Sequence, residues 1–68
     1  MLTGGRLIQL GFRRMLYKEQ HEYYQKGNWI MAPFLAGWLF GFSADDLMVG
    51  RASYITTEEE LRKLVGVI

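Results

Sequence analysis

The feature that most constrains this chain is an unbroken apolar run at residues 29–42, WIMAPFLAGWLFGF. It contains one proline, Pro33, and two glycines four residues apart, Gly37 and Gly41. Inside a helix in water, each glycine costs roughly 1 kcal/mol relative to alanine and a proline costs about 3 kcal/mol. Lipid tolerates these residues better, and small residues four apart let a second helix approach closely. The run therefore predicts a membrane-spanning helix over residues 29–44, with a soluble core helix and an interfacial or re-entrant segment as alternatives.

The predicted helix has one small flank and one bulky flank. We expect the small flank to be its helix-packing surface, formed by Ala32, Pro33, Ala36, Gly37 and Gly41. Fourteen apolar residues span only about 21 Å as a helix, against a hydrocarbon core of about 30 Å. The span therefore has to continue through residues 43–44 or cross a locally thinned bilayer.

The segment before this run, residues 1–28, is basic. It carries five Lys and Arg residues against two Glu, a net charge of +3, whereas residues 43–68 carry a net charge of −2. A helix here would place apolar residues on one stripe: Ile8, Phe12, Met15, Leu16 and Tyr23. Gly27 then fits the left-handed position that ends a helix. We therefore expect a basic amphipathic helix on the positive side of a membrane.

Three cations on this helix, Arg13, Arg14 and Lys18, are predicted to contact anionic lipid headgroups. A solvated helix face is the alternative interpretation of the same residues. The first 18 residues also hold four Lys or Arg and no acid, a pattern typical of mitochondrial targeting segments.

The last part, residues 45–68, is predicted to be an acidic peripheral tail with one helix over residues 57–65. Thr57 and Glu60 have the spacing of a capping box, and the acids at 58–60 suit a helix N-terminus. The apolar stripe Leu61, Leu64 and Val65 is predicted to dock on a partner.

The chain offers little for catalysis. It has no cysteine and one histidine, His21, and it lacks a phosphate-binding loop or a nucleophile beside a base. Neighbouring glutamates at 58–60 point apart on a helix. We therefore expect no enzyme activity, no cofactor, no metal and no small-molecule substrate. We also expect no nucleic acid, because the net charge is only +1 and no groove-reading motif is present.

A tryptophan followed by a Pro-Phe pair and a glycine, here Trp29, Pro33-Phe34 and Gly37, is similar to the small i/j-type (6 kDa) subunit of mitochondrial ATP synthase. The Thr57-Glu58-Glu59 sequence also looks similar to that family. Three residues separate the tryptophan from the Pro-Phe pair here, which departs from the family pattern. Small subunits of respiratory complexes share the same order of parts. The resemblance implies a single-pass accessory subunit with a structural role.

These observations together predict an all-α chain: a basic amphipathic helix, one short transmembrane helix and a capped C-terminal helix. The predicted function is non-catalytic, packing between neighbouring subunits of a membrane energy-transducing complex and contacting membrane lipid. The predicted location is the mitochondrial inner membrane, with the N-terminus on the matrix side. The alternative is a small soluble helical module or inhibitor that binds a larger protein.

Overall fold

The computed structural model describes residues 1–42 and 52–66. Within these ranges the chain forms two short helices and five β-strands. In chain order they are α1 (Gly4–Gln9), β1 (Arg13–Tyr17), β2 (His21–Lys26), β3 (Trp29–Phe34), β4 (Gly37–Gly41), β5 (Ser53–Ile55) and α2 (Glu58–Val65).

The five strands form one antiparallel sheet in the order β1-β2-β3-β4-β5, so each strand pairs with the next in the sequence. The register places Met15 opposite Tyr23, Met31 opposite Phe40, and Trp38 opposite Ile55. Because successive strands alternate in direction, the β1–β2 turn, the β3–β4 turn and the end of β5 lie at the same end of the sheet.

The predicted all-α fold is therefore wrong. Residues 29–41 of the predicted transmembrane helix form β3 and β4, joined by the two residues 35–36. No helix in the described ranges combines the length and the apolar character needed to cross a membrane. The predicted end of the span, residues 43–44, and the first part of the predicted tail, residues 45–51, lie outside the described residues.

Both faces of β3 and β4 carry apolar residues, which is why the run lacks the alternation typical of a strand. Met31 faces the core, and its neighbour Ile30, on the opposite face, is only 5% exposed. A strand covered on both faces gives a continuous apolar run instead of alternation. Pro33 is tolerated in β3 because it lies beyond Met31, the last residue of β3 that pairs with β2. Its missing N–H therefore removes no ladder bond to that strand.

The predicted N-terminal amphipathic helix is also wrong beyond its first turns. Helix α1 is six residues long, and the β1–β2 hairpin replaces the remainder. Lys18 and Glu19 have φ angles of 53° and 58°, and the Gln20 N–H donates to the Tyr17 carbonyl oxygen at 3.2 Å. Two left-handed residues in succession form a type I′ turn, which matches the twist of a hairpin. Gly27 is left-handed as predicted, with φ of 58°, but it lies in the turn between β2 and β3.

The core lies between one face of the sheet and the two helices. The side chains that form it are Leu2, Leu7, Phe12, Tyr24, Met31, Trp38, Phe40, Ile55 and Leu61. The Tyr24 and Trp38 rings meet edge to face, with centroids 5.5 Å apart. Helices α1 and α2 do not cover the opposite face of the sheet, which we call the second face and which includes the buried Ile30.

Helix α2 agrees with the capping box seen in the sequence. The Thr57 hydroxyl oxygen accepts from the Glu60 N–H at 3.2 Å, and the helix begins at Glu58. The Glu58 carboxylate joins the two helices, because it accepts from Arg6 of α1 at 2.6 Å and from Arg62 of its own helix at 2.6 Å.

Candidate functional site

The turn between β3 and β4 exposes four consecutive apolar residues, Pro33, Phe34, Leu35 and Ala36, which we call the apolar tip. Leu35 is 86% exposed and Phe34 is 46% exposed. Scattered surface apolar residues are common, but a contiguous run of exposed ones is typical of an interaction site. The apolar tip is therefore the first candidate for function.

The backbone of Leu35 adds to this evidence. Its φ angle is 55°, a left-handed conformation that Ala36 does not share. Positive φ at the first of two loop residues is the pattern of a type II′ turn, where glycine is preferred. A leucine in this conformation costs roughly 1–2 kcal/mol. An exposed side chain held in a strained backbone is typical of sites retained for function.

Gly37 fixes the base of the apolar tip against β5. It is buried, and a Cβ atom on it would overlap the Ile55 carbonyl oxygen and lie 2.9 Å from Cγ2 of Thr56. Only a glycine lets the end of β5 pack this closely on the hairpin. The position of the tip is therefore set by the sheet.

Tyr54 of β5 supports Phe34 from the side. The two rings meet edge to face, with centroids 6.1 Å apart, and Tyr54 is itself 45% exposed. Tyr54 lies opposite Leu39 of β4, so the apolar surface continues from the tip onto the second face. The side chains of this surface are held by regular strands, which orients them better than a long loop would.

A groove of ≈ 330 Å³ lies between β5 and α2. The described residues that line it are Ser53, Tyr54, Ile55, Glu60, Lys63 and Leu64. Tyr54 belongs both to this groove and to the contact with Phe34, so the groove and the apolar tip both border β5. We call it the β5–α2 groove.

Glu60 supplies a fixed negative charge at one end of this groove. Its carboxylate accepts from the Thr56 hydroxyl at 2.9 Å, from the Thr56 N–H at 3.2 Å and from the Thr57 hydroxyl at 3.2 Å. These bonds, with the Thr56 hydroxyl first, lower the pKa of Glu60 below its ordinary value. Glu60 therefore stays ionised at neutral pH.

The residues predicted to form a helix-packing flank do not share one surface. Pro33 and Ala36 are exposed at the apolar tip, whereas Gly37 and Gly41 are buried in β4. Ala32 is half-buried in β3, opposite Leu39. This flank required a helical period, and a strand with a period of two distributes the same residues over both faces. Gly37 does admit a close backbone, but that backbone is β5 of the same chain.

The cations predicted to contact lipid headgroups are separated by the strand. Arg13 and Arg14 are adjacent in β1, so their side chains leave opposite faces of the sheet. Arg14 pairs with Glu22 at 3.3 Å. Lys18 lies in the β1–β2 turn, with its ammonium 5.4 Å from the centre of the Tyr17 ring. The three residues therefore do not form one basic patch.

The residues predicted to dock on a partner have three different environments. Leu61 is fully buried in the core of the chain itself, and Val65 is half-buried against that core. Leu64 is 45% exposed and lines the β5–α2 groove. Of the three, Leu64 alone lies in the candidate site.

Residues 1–42 and 52–66 contain no group of three or more His, Cys, Asp or Glu side chains that could hold a metal ion. The arrangement instead offers an exposed apolar surface next to a charged groove, which is suited to binding.

Comparison with known proteins gives no further assignment. No family model, no curated protein and no solved structure matches the chain.

Leu35 and Tyr54 are central to the candidate site, and the sequence analysis predicted neither of them as a site residue. The turn at 35–36 lacks the Asn-Gly or Asp-Gly pair that marks a hairpin. Tyr54 reaches Phe34 only because β5 pairs with β4.

Proposed function

We propose that the chain is a non-catalytic binding module that inserts its apolar tip into an apolar pocket on a larger protein. The observation that carries this proposal is the exposure of four consecutive apolar residues at a hairpin turn, with Leu35 held in a strained conformation. A projecting side chain on a supported hairpin fits a concave partner, and a few fully buried anchor residues dominate binding energy at interfaces.

Charge favours a protein over an anionic membrane as the partner. Gly37, at the base of the tip, lies against Thr56, which hydrogen-bonds to Glu60. Glu60 has no ion pair within the described residues. Its carboxylate opposes anionic headgroups, which attract basic segments. A protein pocket bordered by Lys or Arg complements this charge.

This proposal keeps the binding of a larger protein, the alternative raised by the sequence, and replaces its helical surface with a hairpin. The predicted accessory-subunit function depended on a small helix flank packing in lipid. Residues 29–41 form two strands, so that mechanism has no helix to act through.

Site-specific photo-cross-linking in the cells that make the protein tests the proposal. A diazirine analogue of leucine at position 35 is expected to give one predominant protein adduct, which disappears when Phe34→Ser is added. The matched control carries the label at Ile8, which is 54% exposed on α1, and is expected to give no such adduct.

The captured protein is then purified and titrated with the unlabelled chain. Leu35→Asp is expected to weaken binding by more than about tenfold, as for an interface anchor. Adducts only with lipid, equal adducts from positions 8 and 35, or unchanged affinity for Leu35→Asp would each refute the proposal.

A further inference from the structure

We infer that the β5–α2 groove binds an extended polypeptide segment, which adds a sixth strand at the β5 edge and carries the pattern basic–apolar–acidic. This inference concerns a surface other than the apolar tip and does not require the tip to bind anything.

Strand β5 is an edge of the described sheet, with β4 as its neighbour. In an antiparallel ladder, successive residues alternate in directing their N–H and C=O groups toward the neighbour. At least one of Ser53, Tyr54 and Ile55 therefore directs these groups away from β4. Such groups pair readily with an added strand, and many peptide-binding domains use this mode.

The two edges of the sheet differ in how they are protected. The opposite edge, β1, begins with Arg13 and Arg14, and charges of this kind discourage pairing with other chains. Strand β5 has no charged residue and no proline. The Leu2 N–H already donates to the Thr56 carbonyl oxygen at 3.2 Å, directly after β5. Within the described ranges, an added strand can therefore pair only along Ser53–Ile55.

Helix α2 gives the groove its second wall and its polarity. Only Thr56 and Thr57 separate β5 from α2, and Glu60 is tied to Thr56, so the helix runs back along the strand. Lys63 lies about 4.5 Å further along the helix axis than Glu60. Glu60 thus marks the Ile55 end of the groove, and Lys63 marks the Ser53 end.

Neither charge is neutralised by an ion pair within residues 1–42 and 52–66. A segment antiparallel to β5 starts at the Ile55 end. Its first residue lies opposite Ile55 on the α2 side, where a basic side chain meets Glu60. Its third residue lies opposite Ser53, where an acidic side chain meets Lys63. Its second residue faces the other way, beside the exposed Tyr54 ring, which favours a β-branched or aromatic side chain.

A second copy of the chain is a poorer occupant. Its own β5, Ser53–Ile55, carries no charge to place against Glu60 and Lys63. The charge pattern therefore favours a different polypeptide.

The probe is the synthetic peptide acetyl-Thr-Lys-Val-Glu-Thr-amide, titrated into the isotopically labelled full chain by NMR. The amides of β5 and α2 are expected to shift, with cross-strand contacts from the peptide valine to Tyr54. The charge-swapped peptide acetyl-Thr-Glu-Val-Lys-Thr-amide is expected to bind about fivefold more weakly, as for two exposed ion pairs. A peptide with proline in place of valine is expected not to bind.

Variants of the chain test whether Glu60 and Lys63 set the charge preference. Lys63→Gln and Glu60→Gln are each expected to reduce the preference for the unswapped peptide, whereas Leu35→Asp leaves it unchanged. The last result separates failure of the groove from failure of the apolar tip.

Several outcomes would overturn the inference. They are equal binding of the charge-swapped peptide, shifts outside β5 and α2, a dimer in sedimentation equilibrium that buries β5, and slow hydrogen exchange at every β5 amide of the free chain.

Discussion

The indole N–H of Trp38 donates to the carbonyl oxygen of Leu2 at 2.8 Å, and both residues are buried. This bond ties the N-terminal segment to the middle of the sheet. Trp38→Phe is expected to lower the free energy of unfolding by about 1–3 kcal/mol, because it leaves a buried carbonyl oxygen without its donor. Urea unfolding measures the change. Tyr17→Phe, on the exposed edge strand, is the control and should have little effect; a Trp38→Phe chain as stable as this control would contradict the account.

Two glycines give a matched test of the packing at the base of the apolar tip. Gly37→Ala is expected to destabilise the chain by about 2–3 kcal/mol, because the new Cβ overlaps the Ile55 carbonyl oxygen. Gly5→Ala on α1 places its Cβ in ordinary contact with Oγ1 of Thr3, at 4.0 Å, and is expected to stabilise by about 0.5–1 kcal/mol. Equal thermal or urea stability of the two variants would show that β5 does not pack on Gly37.

Leu35 gives a test in which stability and binding move in opposite directions. Leu35→Asn is expected to raise the free energy of unfolding by about 1 kcal/mol, because asparagine tolerates a left-handed backbone better than leucine. The same substitution removes the proposed anchor and should abolish partner binding. Ala36→Asn, one residue on, is the control and should change stability by less than about 0.5 kcal/mol. A Leu35→Asn chain less stable than the wild type would mean that the left-handed turn is absent.

Acid should weaken the contact between the two helices. Hydrogen bonding from Arg6 lowers the pKa of Glu58 below its ordinary value in the folded chain. Because the unfolded chain takes up this proton first, the contribution of Glu58 is present above about pH 4.3 and is lost as pH falls through the lower, folded pKa. The Tyr24 hydroxyl and Arg14 lower the pKa of Glu22, which acts in the same direction.

Urea unfolding between about pH 7 and pH 3 measures this dependence. Glu58→Gln should flatten the loss of stability in acid. Glu59→Gln, which removes an exposed carboxylate without an ion pair in the described ranges, should leave it unchanged. The same slope in both variants would argue against the Arg6–Glu58 contact.

The sequence predicted correctly those features of the fold that depend on residues close together in the chain. The Thr57–Glu60 capping box predicted α2 correctly, because a cap is decided within four residues. Gly27 was correctly predicted to be left-handed, but a left-handed glycine ends a helix and turns a hairpin equally well. The pairing of β2 with β3, which is a tertiary contact, determines which of these two roles Gly27 has.

The prediction of a helix over the apolar run was wrong for a different reason. When both faces of a strand are apolar, as at Ile30 and Met31, the alternation that identifies a strand is absent from the sequence. The spacing of the glycines then favoured a membrane helix. The apolar tip could not be predicted from the sequence, because it forms only when Phe34 pairs with Gly37 across the β3–β4 turn.

Hydroxyl-radical footprinting of the full chain, compared between the purified protein and intact cells, shows whether a partner covers the apolar tip. We expect strong labelling of Phe34, Leu35 and Tyr54 in the purified chain and protection of these three residues in cells. Ile8, exposed on α1, should be labelled equally in both. Equal labelling of the apolar tip in cells and in the purified chain would contradict the claim that this surface binds a partner.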